Sequence, residues 1–319
     1  MMDSIILRTL KFRKENKRLS WFHSISSIAL LIFFIFCALF VEKFWLGFVF
    51  SLAIAAMISR SFIIYHDYAH GTILRKSYFA KAMYFIYGIY VLAPLNVWKR
   101  SHDYHHRNIG KFFKPSIGSY PLVSKKKFID FTKAKKVSYL FVRHPIVILF
   151  GYLFTFLYGM CIHPFISNPK KHFDSLLALC FHFSYVFLVY YMKDFQHVLL
   201  VVIIPHFLAS ALGAYLFYVQ HNFPDAKYKN KDNWNYTFSA LESSSFLKMN
   251  KVMRWITGNI GYHHIHHLNP AIPFYKLPEA MESIVELQNP KSTSFKLRDI
   301  IACLKLKVWD EETQMMTGI

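Results

Sequence analysis

Ten of the 17 histidines in this chain fall in four short places. His66 and His70 stand in HDYAH, His102, His105 and His106 in HDYHH, His221 in YVQHN, and His263, His264, His266 and His267 in HHIHH. Residues three and four apart share a helix face, so His66/His70 make an i, i+4 pair. By the same rule His102/His105/His106 and His263/His266/His267 make two i, i+3, i+4 triples. Each group presents two or three imidazoles in one direction. Neutral imidazole is a ligand for Fe, Zn, Cu or Ni, and near pH 7 most unperturbed imidazole is neutral. The pair, the two triples and His221 together give too many donors for one ion. They suit two ions with four or five nitrogens each and room left for dioxygen.

Taken alone, an HxxxH beside a membrane is often an interfacial anchor; it is the four groups together that point to ligation. His264 lies out of the 263/266/267 register and reads as a supporting or structural side chain. Asp67 and Asp103 each follow the first histidine of a box, where a carboxylate can accept the free N–H of a ligating ring; a solvated position is the plain alternative. His23, His144, His163, His172, His182, His197 and His206 have no ligand spacing and are expected at interfaces or in the core.

The elements that must position these groups are apolar helices. A spanning helix needs roughly 20 predominantly apolar residues, and segments 21–41, 44–64, 174–192 and 197–219 qualify. The first two are joined by little more than Glu42-Lys43 and the last two by residues 193–196, which predicts two helical hairpins. The first box follows the second span by about one turn, and His221 follows the fourth at once. Stretches 79–95 and 145–162 are also apolar, but a crossing by either would split the histidine groups between opposite faces. Both are therefore expected to be interfacial or re-entrant. Four spans put both termini, and segments 65–143 and 220–319, on one side, which the Lys and Arg excess makes cytoplasmic. The expected fold is thus a single domain over 1–319, an all-α integral membrane protein of four transmembrane helices. Interfacial helices and a cytoplasmic helical cap carry the boxes. Residues 279–319 read only as a mixed amphipathic tail.

Composition agrees. The 319 residues are 54% hydrophobic and 18% aromatic with only 11 Gly and 12 Pro, too apolar for an ordinary soluble domain. The formal charge of +20 admits nucleic acid as a partner in principle. Six basic residues, however, precede the first span (Arg8, Lys11, Arg13, Lys14, Lys17, Arg18), most of the others fall between 75 and 143 or after 226, and no nucleic-acid motif is found. The four cysteines include no CxxC and indicate neither a disulfide frame nor a thiolate site. The first apolar run is followed at once by another and lacks a small-residue cleavage pattern, so it is read as a retained span.

At the boxes the chain resembles the membrane fatty acid desaturases, whose signature is HxxxH, HxxHH and HxxHH separated by paired spans. HDYAHG, NVWKRSHDYHHRNIG, FYVQHNFPDAKY and WITGNIGYHHIHHLNPAIPFYKLPEA are similar to the bacterial acyl-lipid branch, of omega-6/delta-12 or delta-5 type. The resemblance covers roughly residues 20 to 310. It implies a non-haem centre of two iron ions held by His66, His70, His102, His105, His106, His221, His263, His266 and His267. It also implies O2 as co-substrate, a cis double bond made in a lipid acyl chain, and a bacterial cytoplasmic membrane location. The third box begins with His263 and not Gln, unlike front-end desaturases fused to cytochrome b5, which leaves a separate electron donor such as ferredoxin or flavodoxin. Some members hold a water on one iron with an Asn near the isolated histidine; Phe217 stands four residues before His221 here, and Gln220 and Asn222 are the candidates for that role.

The chemistry suits such a centre, because an unactivated methylene offers no acidic proton or leaving group. A redox metal with O2 is needed, while the protein positions the chain and excludes water. The aromatic run 78–90 is read first as membrane-facing packing and second as an acyl tunnel. The nearest competing functions are carotenoid hydroxylase or ketolase and alkane hydroxylase, of the same di-iron class. A histidine-rich metal transporter is more remote, since it should carry polar residues at membrane depth, and the spans hold little charge beyond Arg60.

Overall fold

Long apolar runs broken by short polar turns dictate the helices, and the computed structural model describes residues 2–116 and 118–319. Helix α1 (Lys17–Phe40) is capped by Asn16, whose side chain accepts from the Leu19 N–H, and it ends where Val41 turns extended. Helix α2 follows immediately (Phe44–Ala69), running five residues beyond the expected 64 so that the first box begins on the helix and ends at its C-cap, His70. Next come α3 (Tyr78–Tyr90) and α4 (Leu95–Arg107), which meet at a bend of 90°. Leu92 adopts φ 56° in that bend, and α4 carries the second box. Helix α5 (Tyr152–Ser167) is shorter, and α6 (Phe173–Met192) and α7 (Phe195–Val219) form the second long pair. Helices α1, α2, α6 and α7 are each long and apolar enough to cross a membrane, and the chain is an all-α membrane protein.

The chain divides into two units. A span unit comprises Glu15–Arg100 and Leu149–Ala214. Its outer faces are greasy: Phe36 on α1 and Phe187 on α6 are 58% and 65% exposed, the surface expected to meet lipid. Inside it, polar side chains tie helix to helix. Ser24 and Tyr84 share a hydrogen bond of 2.7 Å, Arg60 reaches Ser27 Oγ at 3.1 Å, and Ser51 Oγ donates to the Leu200 carbonyl. Tyr65 Oη donates to Ala93 O at 2.8 Å and Tyr87 Oη to Ile58 O at 2.6 Å, pinning the α3–α4 bend and α3 to α2. At Gly88 a Cβ would stand 2.9 Å from Ala93 O, so no larger residue fits that approach.

A mixed unit comprises the residues up to Lys14, Ser101–Ile148 and Tyr215–Ile319. It holds the end of α4, the end of α7 and a set of short helices, among them α8 (His263–Leu268), which bears the third box. It also holds two small sheets that the all-α expectation did not contain. In one, β1 (Phe246–Lys248) runs parallel to β2 (Ser292–Ser294) in the register Phe246↔Ser292. In the other, β3 (Val308–Asp310) and β4 (Met315–Thr317) are antiparallel, with Val308 opposite Thr317. The tail read as merely amphipathic is thus folded, with Trp309 and Cys303 fully enclosed. Asn269 Nδ2 donates to Thr9 Oγ1 at 2.8 Å, bringing the N-terminal residues to the end of α8.

Candidate metal centre

A six-residue helix has no stability of its own, so α8 must be held by its surroundings. The chain enters it through Gly258 and Asn259, both with positive φ, and Gly261 passes so close to Leu247 O that a Cβ would lie 2.7 Å away. The Leu247 N–H donates to Gly261 O at 2.9 Å, Gln220 Nε2 to Ile260 O at 2.9 Å, and Tyr236 Oη to His267 O at 2.5 Å. Gln220 therefore braces the approach to the third box from the end of α7. His263, His264, His266 and His267 are all buried.

Within the mixed unit four imidazoles close a ring of Nε2 atoms. The successive separations are 3.0 Å (His105–His221), 2.9 Å (His221–His263), 3.0 Å (His263–His267) and 3.2 Å (His267–His105). The four donor atoms lie within 4.8 Å of one another. A metal–nitrogen bond of about 2.1 Å puts neighbouring nitrogens about 3.0 Å apart at right angles and about 3.4 Å apart in a tetrahedron. The observed edges match the right-angled spacing more closely than the tetrahedral one. A metal with octahedral habits fits these residues better than tetrahedral zinc.

Three further box histidines gather in the same unit. His106 Nε2 lies 3.1 Å from His102 Nε2 and 3.1 Å from His266 Nε2, again the right-angled spacing. The His106 and His267 rings stack at 4.2 Å, so the two groups are neighbours. His66 and His70 belong to the span unit, where their Nε2 atoms stand 3.3 Å apart on successive turns of α2.

The tautomers can be read where the partner is a pure acceptor. His221 Nδ1 faces the Ser243 carbonyl at 3.1 Å and must donate to it, which leaves the Nε2 lone pair for the ring. His66 Nδ1 likewise donates to Asp67 Oδ1 at 3.2 Å, the role expected of Asp67. Asp103 is half-buried one residue after His102. Burial pushes His221 down to about 4, with the Ser243 carbonyl offsetting part of the fall. Burial, then the neighbouring His263, His221, His105 and His266, holds His267 well below the usual imidazole range. Both rings are therefore neutral at pH 7, the form that offers a lone pair.

His264 points elsewhere. It is 1% exposed, its ring meets Phe246 edge-on at 6.1 Å, and burial pushes it down to about 4. Asn222 also departs from the expectation of a role toward the metal: its side chain turns to Arg143 and to the carbonyls of Cys303 and Leu306. The residues that sequence reasoning missed are those that hold His221, namely Ser243 through its carbonyl, Tyr228, which donates to His221 O at 2.5 Å, and Arg143. A backbone carbonyl leaves no residue-type signal; an arginine in an otherwise apolar stretch was the one visible clue.

The comparisons with known proteins place the chain in a family. The family described as fatty acid desaturase matches residues 43–294. A fatty acid desaturase of Bacillus subtilis (strain 168) is 31% identical over 269 residues, covering 83% of this chain and 75% of that protein. An endoplasmic reticulum omega-3 fatty acid desaturase of Vigna radiata var. radiata is 27% identical over 240 residues, 70% of this chain and 60% of its own length. The chain thus spans less than two thirds of that plant protein. An sn-1 acyl-lipid omega-3 desaturase (ferredoxin) of Nostoc sp. (strain 36) is 23% identical over 260 residues, covering 75% of this chain and 68% of that protein.

Proposed function

Because the chain belongs to the fatty acid desaturase family, we propose that it is an O2-dependent membrane desaturase that introduces a cis double bond into a lipid acyl chain. The observation that carries the reading is the ring of four Nε2 atoms from His105, His221, His263 and His267, whose spacing suits a six-coordinate metal. In this reading those four hold one iron, and His66, His70, His102, His106 and His266 hold the other; the box spacing and the family pattern support the second set. The iron pair supplies, when bound, the redox chemistry with O2 that an unactivated methylene requires.

The balance is R–CH2–CH2–R′ + O2 + 2 e− + 2 H+ → R–CH=CH–R′ + 2 H2O. The electrons come from a separate donor, for which a ferredoxin or flavodoxin is the proposal; the name of the Nostoc relative supports it. The protein's own part is to keep the imidazoles neutral by burial, to fix the ring tautomers through Ser243 O and Asp67, and to exclude bulk water from the donors. A cavity of about 60 Å3 borders His105 and His221 and is lined by Asn108, Ser119, Ser243 and Arg143 among others. Its lining mixes polar and apolar side chains, and it is large enough for ordered water beside the four-nitrogen ring. The Lys and Arg distribution supports an inner-membrane orientation with the boxes on the cytoplasmic side.

The test is fatty acid methyl ester profiling of a desaturase-lacking host that expresses the chain, with double-bond position assigned by mass spectrometry. New unsaturation that vanishes in His105→Ala is the expected result. New hydroxyl or keto products would move the assignment to a hydroxylase or ketolase, and unchanged lipids with a well-expressed protein would overturn it.

A further inference from the structure

Arg143 is 1% exposed, and its guanidinium stays charged in protein interiors. It donates to Pro121 O, to Asn222 Oδ1, to Leu306 O at 3.3 Å and to Tyr218 Oη at 3.4 Å. These four acceptors are neutral, and the rings of Tyr139 and Tyr218 lie 5.6 and 5.0 Å from the guanidinium carbon. A buried cation without a carboxylate on these contacts is costly. What it gains is geometric, because a planar fork can bind acceptors from several chain segments at once. Those segments are the loop at 121, the end of α7 with the turn after it, and the stretch after Cys303.

The same link continues past Arg143. Asn222 Nδ2 donates to Cys303 O at 2.7 Å and to Leu306 O at 3.2 Å, so its amide is clamped between the guanidinium and the tail. The preceding residue is His221, the one member of the four-nitrogen ring that comes from a turn and not from a box helix. Its ring is aimed by Ser243 O and its own carbonyl is held by Tyr228, while the turn is held on one side by Gln220, whose carbonyl accepts from the Ser245 N–H at 2.9 Å, and on the other through Asn222.

We propose that Arg143 is a positioning residue for His221. By locking Asn222 against the carbonyls of residues 303–306, it keeps His221 Nε2 in the ring with His105, His263 and His267. The inference rests on reading that ring as a metal site.

The experiment uses the full chain, purified metal-free in detergent and titrated anaerobically with Co(II), with bound cobalt counted by mass spectrometry and its ligand-field absorption recorded. Wild type takes up about two ions per chain in the nine-histidine reading. Arg143→Gln is expected to weaken one of them by about 10- to 100-fold, the usual loss when a group behind a ligand is removed, and to leave the other unchanged. His221→Ala should weaken that same ion, and adding Arg143→Gln to it should cost nothing more, because a residue acting only through His221 has nothing left to act on. Asn222→Ala carries the same test if Arg143→Gln does not fold. Equal weakening of both ions, or an undiminished effect of Arg143→Gln in the His221→Ala background, overturns the proposal and leaves Arg143 a general brace. Wild type that binds both ions with Arg143→Gln and Asn222→Ala indistinguishable from it overturns this inference alone. Wild type that binds no cobalt overturns the metal-centre reading, and this inference with it.

Discussion

Buried histidines occur in both units of the molecule, and two sets of them are used in opposite ways. In the span unit His182 Nε2 meets Tyr152 Oη at 2.6 Å, and His206 faces the carbonyls of Val202 at 2.8 Å and Tyr90 at 3.2 Å. Those rings tie helices together, as polar groups within membrane bundles commonly do. In the mixed unit His105, His221, His263 and His267 turn their Nε2 atoms toward one another. Burial is nearly the same, with His182 and His206 at 3% and 2% exposed and His263 and His267 at 5% and 0%. Burial therefore does not mark a ligand. What separates the two sets is whether the ring nitrogens find protein partners or converge on a common point.

The sharpest way to break this contrast is substitution in each set. His105→Ala should abolish desaturation, by more than about 100-fold, and release the ion of the four-nitrogen ring. His182→Phe should leave cobalt uptake and product formation within about threefold of wild type. Equal losses in both variants would erase the distinction.

Asp67 offers a graded test, because it touches His66, a proposed ligand outside the four-nitrogen ring. Asp67→Asn replaces the acceptor of the His66 Nδ1 proton by a weaker one and is expected to lower affinity for one cobalt by about 10- to 100-fold. Direct titration measures it, and an unchanged affinity would make the His66–Asp67 contact merely structural.

Acid should also weaken the mixed unit. Burial lowers His221 and His264 to about 4, and burial with the neighbouring histidines holds His267 well below its usual range, whereas the unfolded chain takes up protons near 6.5. A group depressed in the folded state stabilises it above the unfolded pKa, and that stability drains away as pH falls from about 6.5 toward 4. Metal-free protein should therefore hold a level Tm above pH 7 and lose about 2 kcal/mol per such histidine by pH 5. The fully buried His264 is the firmest case, and His264→Phe should flatten part of the slope. A melting profile indifferent to pH from 7 to 5 would argue against these rings being kept neutral.

The smallest effect belongs to the span unit. Tyr152→Phe removes the hydroxyl from His182 and should cost about 1 kcal/mol of thermal stability in detergent, with cobalt binding untouched.

Much of this arrangement was legible in the linear chain. The i, i+3, i+4 spacing of the triples placed their imidazoles on single helix faces, and Asp67 was visible as the acceptor for its neighbour. The long apolar runs marked α1, α2, α6 and α7 to within a few residues, except that α2 continues through the first box. Three features were not legible, for a common reason. Asn222 stands beside a ligand, and adjacency in sequence suggested a role toward the metal, yet its amide is claimed by Arg143 and the tail. Residues 279–319 show no sustained periodicity, because β2, the helix Leu297–Lys305 and the β3–β4 hairpin are too short to print one. The bend between α3 and α4 depends on Tyr65 reaching Ala93 from another helix. Local pattern reports what a segment would do alone, and each of these is decided by a partner far along the chain.

The clamp on Asn222 bears on how such a protein is made. Its acceptors at Cys303 and Leu306 leave the ribosome some 80 residues after the turn they hold. The apolar helices can enter the bilayer long before that. On the proposal that this ring holds a metal ion and that Asn222 positions His221, loading of the ring would be a late, post-insertional event, and a nascent chain halted before residue 303 would be membrane-inserted yet less able to keep that ion, a maturation intermediate separable from the finished protein by its metal content.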